Sequence, residues 1–565
     1  MTKAKELSEL ASATTVTSGN VALSGGLDVD GVTDLDVVDI DGAANFAADV
    51  TIANGADIIT ASAGTSNLRL GVNAGNSIAS GGNQNVLLGD GAGATVSTGD
   101  GNIAIGFEAG NDISTGGYNT LIGWKAGDKI STGSQNTGIG DGAISADTLG
   151  KKSVGVGSNA LNTQNFTSAT DAYNVAMGYN AGAAVTTGTN HTLIGGLAGD
   201  AITTAANNTA VGSSALTAAT TSHSNTAIGV QALQGLTTTS NSNFSTAVGF
   251  QAAYTTTHNV DAFGSKALYS NTTALYCCAF GRDSLTTNTT GNNNSGFGYR
   301  ALRLNTTGAD NTAVGYSALT SCTTGVRNVA MGKSALVAMT TGYDNTFIGE
   351  KAGEVLTTGF HNTAIGQYAL SAGQSMEKNV AIGAFAGFTV TGDQNTFLGT
   401  NAGYNNVTSG DNNTMVGYYA LSSGATVSNE FTLGNSSTDN LRCADTSISS
   451  LSDERDKKNI VDVPLGLDFI KTLRPVSFDW NARDGSRVGK KDFGFVAQEL
   501  KTAGDATDYA DHMRLVGTGE LNLDSGKVEM LEADPMKTYP VLVKAVQELS
   551  TALNAALARI ATLEG

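Results

Sequence analysis

Short apolar runs that end in glycine recur along most of this chain. NIAIG ends at Gly106, NTLIG at Gly123, NTGIG at Gly140 and SVGVG at Gly157, each 17 residues after the one before. The same landmark can be followed from Gly71 to Gly434, with slips of a few residues near Gly178, Gly249, Gly264, Gly399 and Gly417. Self-similarity at a fixed short period is typical of repeat architectures. The pattern therefore predicts an array of stacked units.

Each unit reads roughly N-T-A-[IV]-G-x-x-A-[LG], followed by a Thr, Ser, Gly and Asn linker. Alternation in N-T-A-I-G places Thr and Ile on one face of a strand and Ala on the other. The glycine ends or bends the strand, and the x-x-A-L stretch predicts a second short strand. Because such a unit buries little alone, we expect coils to stack and three chains to wrap together to close the core.

Asparagine begins most of the repeats, as at Asn311, Asn328, Asn345 and Asn362. It predicts a structural role, either in a ladder of stacked side chains or in closing an Asx turn. The prolines support a continuous backbone ladder, because all of them follow the array: Pro464, Pro475, Pro535 and Pro540.

Composition and charge narrow the class. With 72 glycines, 14% charged and 6% aromatic residues, the chain suits a narrow β core, and 40% hydrophobic residues is too many for disorder. The net charge of -19 argues against nucleic acid as a binding partner. No apolar run long enough for a signal peptide or a membrane span occurs, so we expect assembly in a cytoplasm and no membrane insertion. Cysteines and histidines lack metal-ligand spacing, and we expect no cofactor or metal.

Three segments follow from these patterns. Residues 1–66 predict an attachment segment and a thin acidic β stalk, residues 67–451 a repeat shaft with a distal tip, and residues 452–565 a small α+β domain. The last stretch of that domain predicts a helix with a coiled-coil seam. The seam consists of Leu542, Val546, Leu549, Leu553, Ala556, Ile560 and Leu563.

The hexapeptide SDERDK, Ser452 to Lys457, stands at the border where the repeats end. It places a serine hydroxyl and a lysine amine five positions apart. A serine hydroxyl needs an adjacent base to act as a nucleophile, and a lysine amine can be that base only when burial or a nearby cation lowers its pKa.

SDERDKKNI, followed by LRPVSFDW, KDFGFVAQEL and YPVLVKAVQEL, closely resembles the C-terminal intramolecular chaperone of bacteriophage tail spikes and fibres, the endosialidase type. The resemblance covers roughly the last 114 residues. It implies a homotrimer whose chaperone guides folding and then cuts itself free at the Leu451–Ser452 bond. Ser452 and Lys457 would form a Ser-Lys dyad, and Asp453 and Arg455 complete the motif without a catalytic role.

Together these features predict a mainly β, homotrimeric fibrous β-solenoid or β-roll, followed by a small α+β chaperone ending in a trimeric coiled coil. The predicted function is a phage tail fibre in the virion, assembled in the host cytoplasm. It would attach at its N-terminus to a tail or baseplate protein and bind a host glycan or protein receptor. The only catalysis expected is single-turnover self-cleavage.

Two alternatives stay open. The array also resembles the N-S-x-A-I-G heads of trimeric autotransporter adhesins, and a bacterial surface adhesin or tailocin fibre could use the same chaperone. A glycan-depolymerising tail spike would need paired carboxylates in a groove. The array offers only scattered ones: Glu108, Asp128, Asp283 and Glu350.

Overall fold

The computed structural model describes residues 62–565 except 238–242, 406–408, 439–440, 443–452, 482–487 and 524–525, and it describes residues 518–530 by their backbone alone. Its main feature is a parallel sheet of 22 short strands, one to a coil. The predicted N-terminal segment lies outside the described residues as far as residue 61. In chain order the strands up to residue 433 are β1 Leu68–Leu70, β2 Val86–Leu88, β3 Ile103–Ile105, β4 Thr120–Ile122, β5 Thr137–Ile139, β6 Gly150–Lys151, β7 Val154–Val156, β8 Thr170–Asp171, β9 Val175–Met177, β10 Thr192–Ile194, β11 Thr209–Val211, β12 Thr226–Ile228, β13 Thr246–Val248, β14 Val260–Phe263, β15 Cys277–Phe280, β16 Ser295–Phe297, β17 Thr312–Val314, β18 Val329–Met331, β19 Thr346–Ile348, β20 Thr363–Ile365, β21 Val380–Ile382, β22 Thr396–Leu398, β23 Thr414–Val416 and β24 Phe431–Leu433.

Successive coils stack in register, as the 17-residue period predicts. Thr312 of β17 pairs with Val329 of β18, and Val314 pairs with Met331. β6 and β8 form a separate parallel pair that joins two successive coils, with β8 in the longer coil before Gly178. The chain is thus a mainly β solenoid followed by a small α+β region, which confirms the predicted class.

The predicted alternation within each strand is confirmed. In β17 the central Ala313 is buried, while Thr312 and Val314 face outward and are partly exposed. The prediction of a second strand in x-x-A-L is wrong. Ser317 and Leu319 in that stretch have φ values of 57° and 50°, a left-handed conformation that cannot form a strand.

A single chain closes its own core, which corrects the expectation that three chains are needed for it. In the coil that begins at Asn311, the side chains of Ala313, Ala318, Leu319 and Cys322 are all fully buried. The strand, the left-handed stretch and the linker surround these small side chains from different sides. Any association of copies must therefore use the outer surface.

Glycine turns the chain where each strand ends. Gly315 has a φ of 136°, and a Cβ atom on it would stand 2.5 Å from the carbonyl oxygen of Gly332 in the next coil. Both the conformation and the contact exclude a side chain. The glycine that marks the repeat in the sequence is thus required by the stacking distance.

The asparagines at the repeat heads form the predicted ladder. Asn345 is fully buried. Its Nδ2 donates to Oδ1 of Asn328 at 3.0 Å and to the Gly359 carbonyl at 2.8 Å, and its Oδ1 accepts the backbone N–H of Asn362 at 3.0 Å. Each side chain therefore satisfies polar groups in both neighbouring coils, which buried polar groups require.

Several coils have another residue in place of the ladder asparagine, and in two of them other side chains form its bonds. Ser153 is too short to reach its neighbours, and the side chain of Gln164 fills the gap. Gln164 Nε2 donates to Ser153 Oγ at 2.9 Å and to Asp147 Oδ2 at 2.6 Å, and its Oε1 accepts from Asn174 Nδ2 at 2.8 Å. In another coil His191 donates from Nε2 to the Ala205 carbonyl and accepts at Nδ1 from the N–H of Asn208.

The C-terminal region combines short helices with two hairpins. Its elements are the 3-10 helix η1 Glu454–Asp456, α1 Leu467–Ile470, β25 Val476–Asp479, β26 Lys491–Gly494, α2 Ala497–Asp505, α3 Ala510–Met513, β27 Val516–Leu523, β28 Gly526–Ala533, the 3-10 helix η2 Pro535–Thr538 and α4 Tyr539–Glu564. A small core joins them: Phe469, Leu500, Met513, Leu515 and Val541. The core is thinner than the aromatic content suggests, because Phe493 is 84% exposed.

Replacing Asn345 with alanine should destabilise the solenoid by about 3 kcal/mol or more, because the Asn362 amide and the Gly359 carbonyl would be left buried without partners. Thr346→Ala is the control. The Thr346 side chain is next in sequence and faces outward, so its removal should change the free energy of unfolding by less than about 1 kcal/mol. Urea denaturation measures both. Equal effects would contradict a stabilising role of the ladder.

Acid should destabilise the solenoid through His191, because burial lowers the pKa of this side chain to about 4. An unfolded histidine takes its proton near pH 6.5, whereas the folded one does so only near pH 4. The free energy of unfolding should therefore fall as the pH drops from about 6.5 to 4, by about 3 kcal/mol.

His191→Asn restores the ladder residue of the neighbouring coils and removes this proton. The difference between wild type and variant in urea denaturation at pH 7 and pH 4 isolates the contribution of His191 from that of the rest of the protein. Identical acid sensitivity of the two proteins would contradict the assignment.

Candidate functional site

The motif at the repeat border forms a short, capped turn. Oδ1 of Asp453 accepts the backbone N–H of Arg455 at 2.9 Å and so caps the 3-10 helix η1. The Arg455 guanidinium returns to the same carboxylate, with Nε 2.9 Å from Oδ1 and Nη2 2.6 Å from Oδ2. This pairing lowers the pKa of Asp453. Asp453 and Arg455 thus shape the turn, a role the sequence left unassigned.

Lys457 follows η1, and its backbone N–H donates to the Glu454 carbonyl at 3.1 Å. It is exposed, as are all residues from 453 to 462. The predicted nucleophile Ser452 and its bond to Leu451 lie outside the described residues, so the dyad stays a prediction. A lysine base needs burial or a nearby cation to lower the pKa of its amine, and the described residues of a single chain do not bury Lys457.

Helix α4 is anchored at its first turns and uncovered beyond them. Val541 and Ala545 are buried, and Glu548 Oε2 accepts the backbone N–H of Leu467 at 2.8 Å, at the start of α1. From Leu549 to the end every residue is exposed. The predicted seam is therefore helical and unpartnered in one chain, with Leu549 55% and Leu553 57% exposed.

The exposed apolar face of α4 is wider than the predicted seam. Val543 and Leu557 are also more than half exposed, and neither belongs to the alternating steps of four and three. Leu557 stands four residues after Leu553 and three before Ile560, spacings that place all three on one side of a helix. Searching for a broad apolar stripe in place of a strict seam would have found it.

A second exposed apolar surface runs along the solenoid; we call it the outer stripe. It consists of the last residue of each strand in the 22-stranded sheet: Leu70, Leu88, Ile105, Ile122, Ile139, Val156, Met177, Ile194, Val211, Ile228, Val248, Phe263, Phe280, Phe297, Val314, Met331, Ile348, Ile365, Ile382, Leu398, Val416 and Leu433. None of these side chains is buried. With strands about 4.8 Å apart, the outer stripe is roughly 100 Å long.

The outer stripe is nearly free of charge. Among the outward-facing positions of the 22 strands, Asp261 is the only charged residue. Phe280 stacks between Phe263 and Phe297, with ring centroids 4.5 and 5.2 Å apart. Soluble monomers rarely expose apolar patches of this extent. Alternation in the sequence predicted which way these residues point, but not that they would stay uncovered.

The carboxylates considered for glycan cleavage are ion-paired and stand on different coils. Glu108 pairs with Lys125, Asp128 with Lys129, Asp283 with Arg282 and Glu350 with Lys333, at 3.1, 3.3, 3.5 and 3.3 Å. In the described ranges no group of His, Cys, Asp and Glu could hold a metal ion. Burial raises the pKa of Cys277 and Cys322 to about 11, which suits inert core thiols.

Residues 452–512 match the family model described as the chaperone of endosialidase. The match begins at the predicted nucleophile and includes the turn, α1, the first hairpin, α2 and most of α3. No curated protein and no solved structure matches the chain. Among the described helices, none has the length and apolar character that crossing a bilayer requires.

Proposed function

We propose that this chain is the subunit of a trimeric phage tail fibre, a structural and receptor-binding adhesin whose C-terminal chaperone drives trimerisation and then releases itself. The observation that carries the proposal is the match of residues 452–512 to the chaperone of endosialidase, placed directly after a long β-solenoid. A chaperone of this kind is suited to a fibre in which long repetitive chains have to be brought together during folding. The ion pairing of the array's carboxylates favours adhesion over glycan cleavage.

Two apolar surfaces support association of copies. The outer stripe and the free part of α4 are both uncovered in one chain, and both are long and narrow. A narrow seam on a helix is satisfied by packing against equivalent helices, and a second and third copy of this chain supply matching surfaces at both places. In a homotrimer the outer stripes would face one another while each solenoid keeps its own core.

Self-cleavage would follow from assembly. In the proposed step Lys457 takes the proton of the Ser452 hydroxyl, and Ser452 Oγ attacks the carbonyl carbon of Leu451. The C–N bond breaks, the Ser452 amine takes up the proton, and water then hydrolyses the resulting ester. Because Lys457 is exposed in one chain, a neighbouring copy would have to cover it before its amine could act as a base.

We expect wild-type protein to yield a fragment of the size of residues 452–565 on a denaturing gel, with Ser452 at its N-terminus by mass spectrometry. Ser452→Ala and Lys457→Ala should abolish the fragment. Lys458→Ala is the matched control, since it removes the adjacent exposed lysine and should leave cleavage intact. Wild-type cleavage rates in Lys457→Ala would exclude the dyad.

Charge on the α4 seam should prevent trimerisation. In Leu549→Glu combined with Leu553→Glu, two carboxylates per chain would be buried without partners, at a cost of several kcal/mol. Light scattering on a sizing column should show three chains for the wild type and one for this variant. The control, Gln547→Glu with Thr551→Glu, adds the same charge outside the seam and should remain trimeric. A trimeric seam variant, or a monomeric wild type, would contradict the proposal.

A further inference from the structure

Aromatic rings gather on the last coils of the solenoid. Tyr368, Phe385, Phe388, Tyr404 and Tyr419 form a continuous cluster, which we call the aromatic patch. Tyr368 and Phe385 are stacked with centroids 5.2 Å apart, Phe388 and Tyr404 are stacked at 5.6 Å, and Phe385 meets Phe388 edge-on at 5.7 Å. All five rings are partly exposed.

The aromatic patch contains more rings in mutual contact than other parts of the array do. In the other described coils, ring contacts join at most three rings, as in the row of Phe263, Phe280 and Phe297. The patch lies in the stretch that follows the glycine turn, so it is separate from the outer stripe. It therefore stays distinct from the surface proposed for trimer contacts.

The place of the rings in the repeat sets the patch apart. Tyr368, Phe385 and Tyr419 occupy the second position after the glycine turn. In the other coils from Gly71 to Gly417 this position holds a polar residue or glycine, apart from Leu197. The left-handed backbone at this position is common to the coils, so the difference lies in the side chains. Three rings therefore stand among the last coils at a position that is polar or glycine in nearly all the others.

Charge around the patch indicates an uncharged ligand. The cation nearest to it, Lys351, lies with Nζ 5.2 Å from the centre of the Tyr368 ring. The same amine is 3.0 Å from Glu354 Oε1 and is thereby neutralised. Partly exposed rings with polar tyrosine tips suit a ligand that is apolar on its faces and polar at its rim. A pyranose ring has this character, because its C–H groups line the faces and its hydroxyls the edge.

We infer that the aromatic patch is a binding site for neutral hexose chains of a cell-surface glycan. The inference rests on the proposed adhesin function and gives its receptor site a place and a chemical class. Sugar rings would stack on Tyr404 and its neighbours, and polar groups at the border of the patch would bind their hydroxyls. The position on the distal coils would present the site away from the attachment end.

The test measures binding of maltoheptaose, cellohexaose, mannohexaose and a galactan oligosaccharide by titration calorimetry and saturation-transfer NMR, at millimolar concentration. Wild-type protein should bind at least one of them. Tyr404→Ala should lower that affinity about tenfold or more, as expected for the loss of a stacking ring from a pocketless site.

Tyr254→Ala is the matched control. Tyr254 occupies the same position in its coil, five residues after the glycine turn, and it also stacks on a neighbour, at 5.0 Å. The Tyr254→Ala variant should lose a similar amount of packing, measured by thermal unfolding, yet its affinity for the sugar should stay within about twofold of wild type. Binding of none of the four sugars, or equal loss of affinity in both variants, would overturn the inference. Light scattering on the same samples separates this failure from failure of the trimeric fibre itself.

Discussion

The asparagine ladder is the interaction on which the solenoid depends. Most coils bury an asparagine whose side-chain amide bonds to the coil before it and the coil after it. This bonding sets the spacing of the coils, since an amide reaches its neighbour only at the distance of a β ladder. The glycine turns and the buried alanines follow from the same spacing, because little room is left between stacked backbones. Asparagine is missing from some coils, and in one of them Gln164 takes over its bonds beside Ser153.

The ladder and the small core leave the outer surface free to carry function. A globular protein uses its large apolar residues inside, whereas here Ile, Val, Met and Phe at the strand ends lie outside. The interior consists mostly of alanine and leucine, with a few larger residues such as Phe347 and Phe397, and the apolar residues at the strand ends would be available for contacts between copies. Helix α4 is divided in a similar way. Its first turns pack against its own domain, and its later turns are exposed. Stability of the single chain and the proposed association of copies would thus depend on different sets of residues.

Much of the solenoid could be predicted from the sequence, because its period, its alternation and its glycine turns act locally. The ladder could be predicted as one of two structural roles for asparagine. The left-handed stretch could not, since residues such as Leu319 give no sign of a positive φ and adopt it only because the coil must turn there. Closure of the core within one chain could not be predicted either. Sequence patterns show which residues face inward, but not whether one chain or several chains enclose them. For the proposed processing site, the motif predicted Ser452 and Lys457, but the bonds that make Asp453 and Arg455 a capped turn depend on side-chain geometry.

Near-identical coils also create an ambiguity of register. Each coil presents the same asparagine, glycine and aliphatic positions to whatever lies beside it, so two solenoids shifted by one coil would form almost the same contacts as two aligned ones. Only the end coils would lose partners, and the energetic gap between right and wrong alignments would be a small share of the total. Alignment of copies therefore has to be decided outside the array, by a segment that occurs once in each chain. The non-repeating C-terminal domain and its helix α4 meet that condition. For the proposed trimer, the property required of an assembly domain is therefore a sequence that occurs once per chain, more than strong binding.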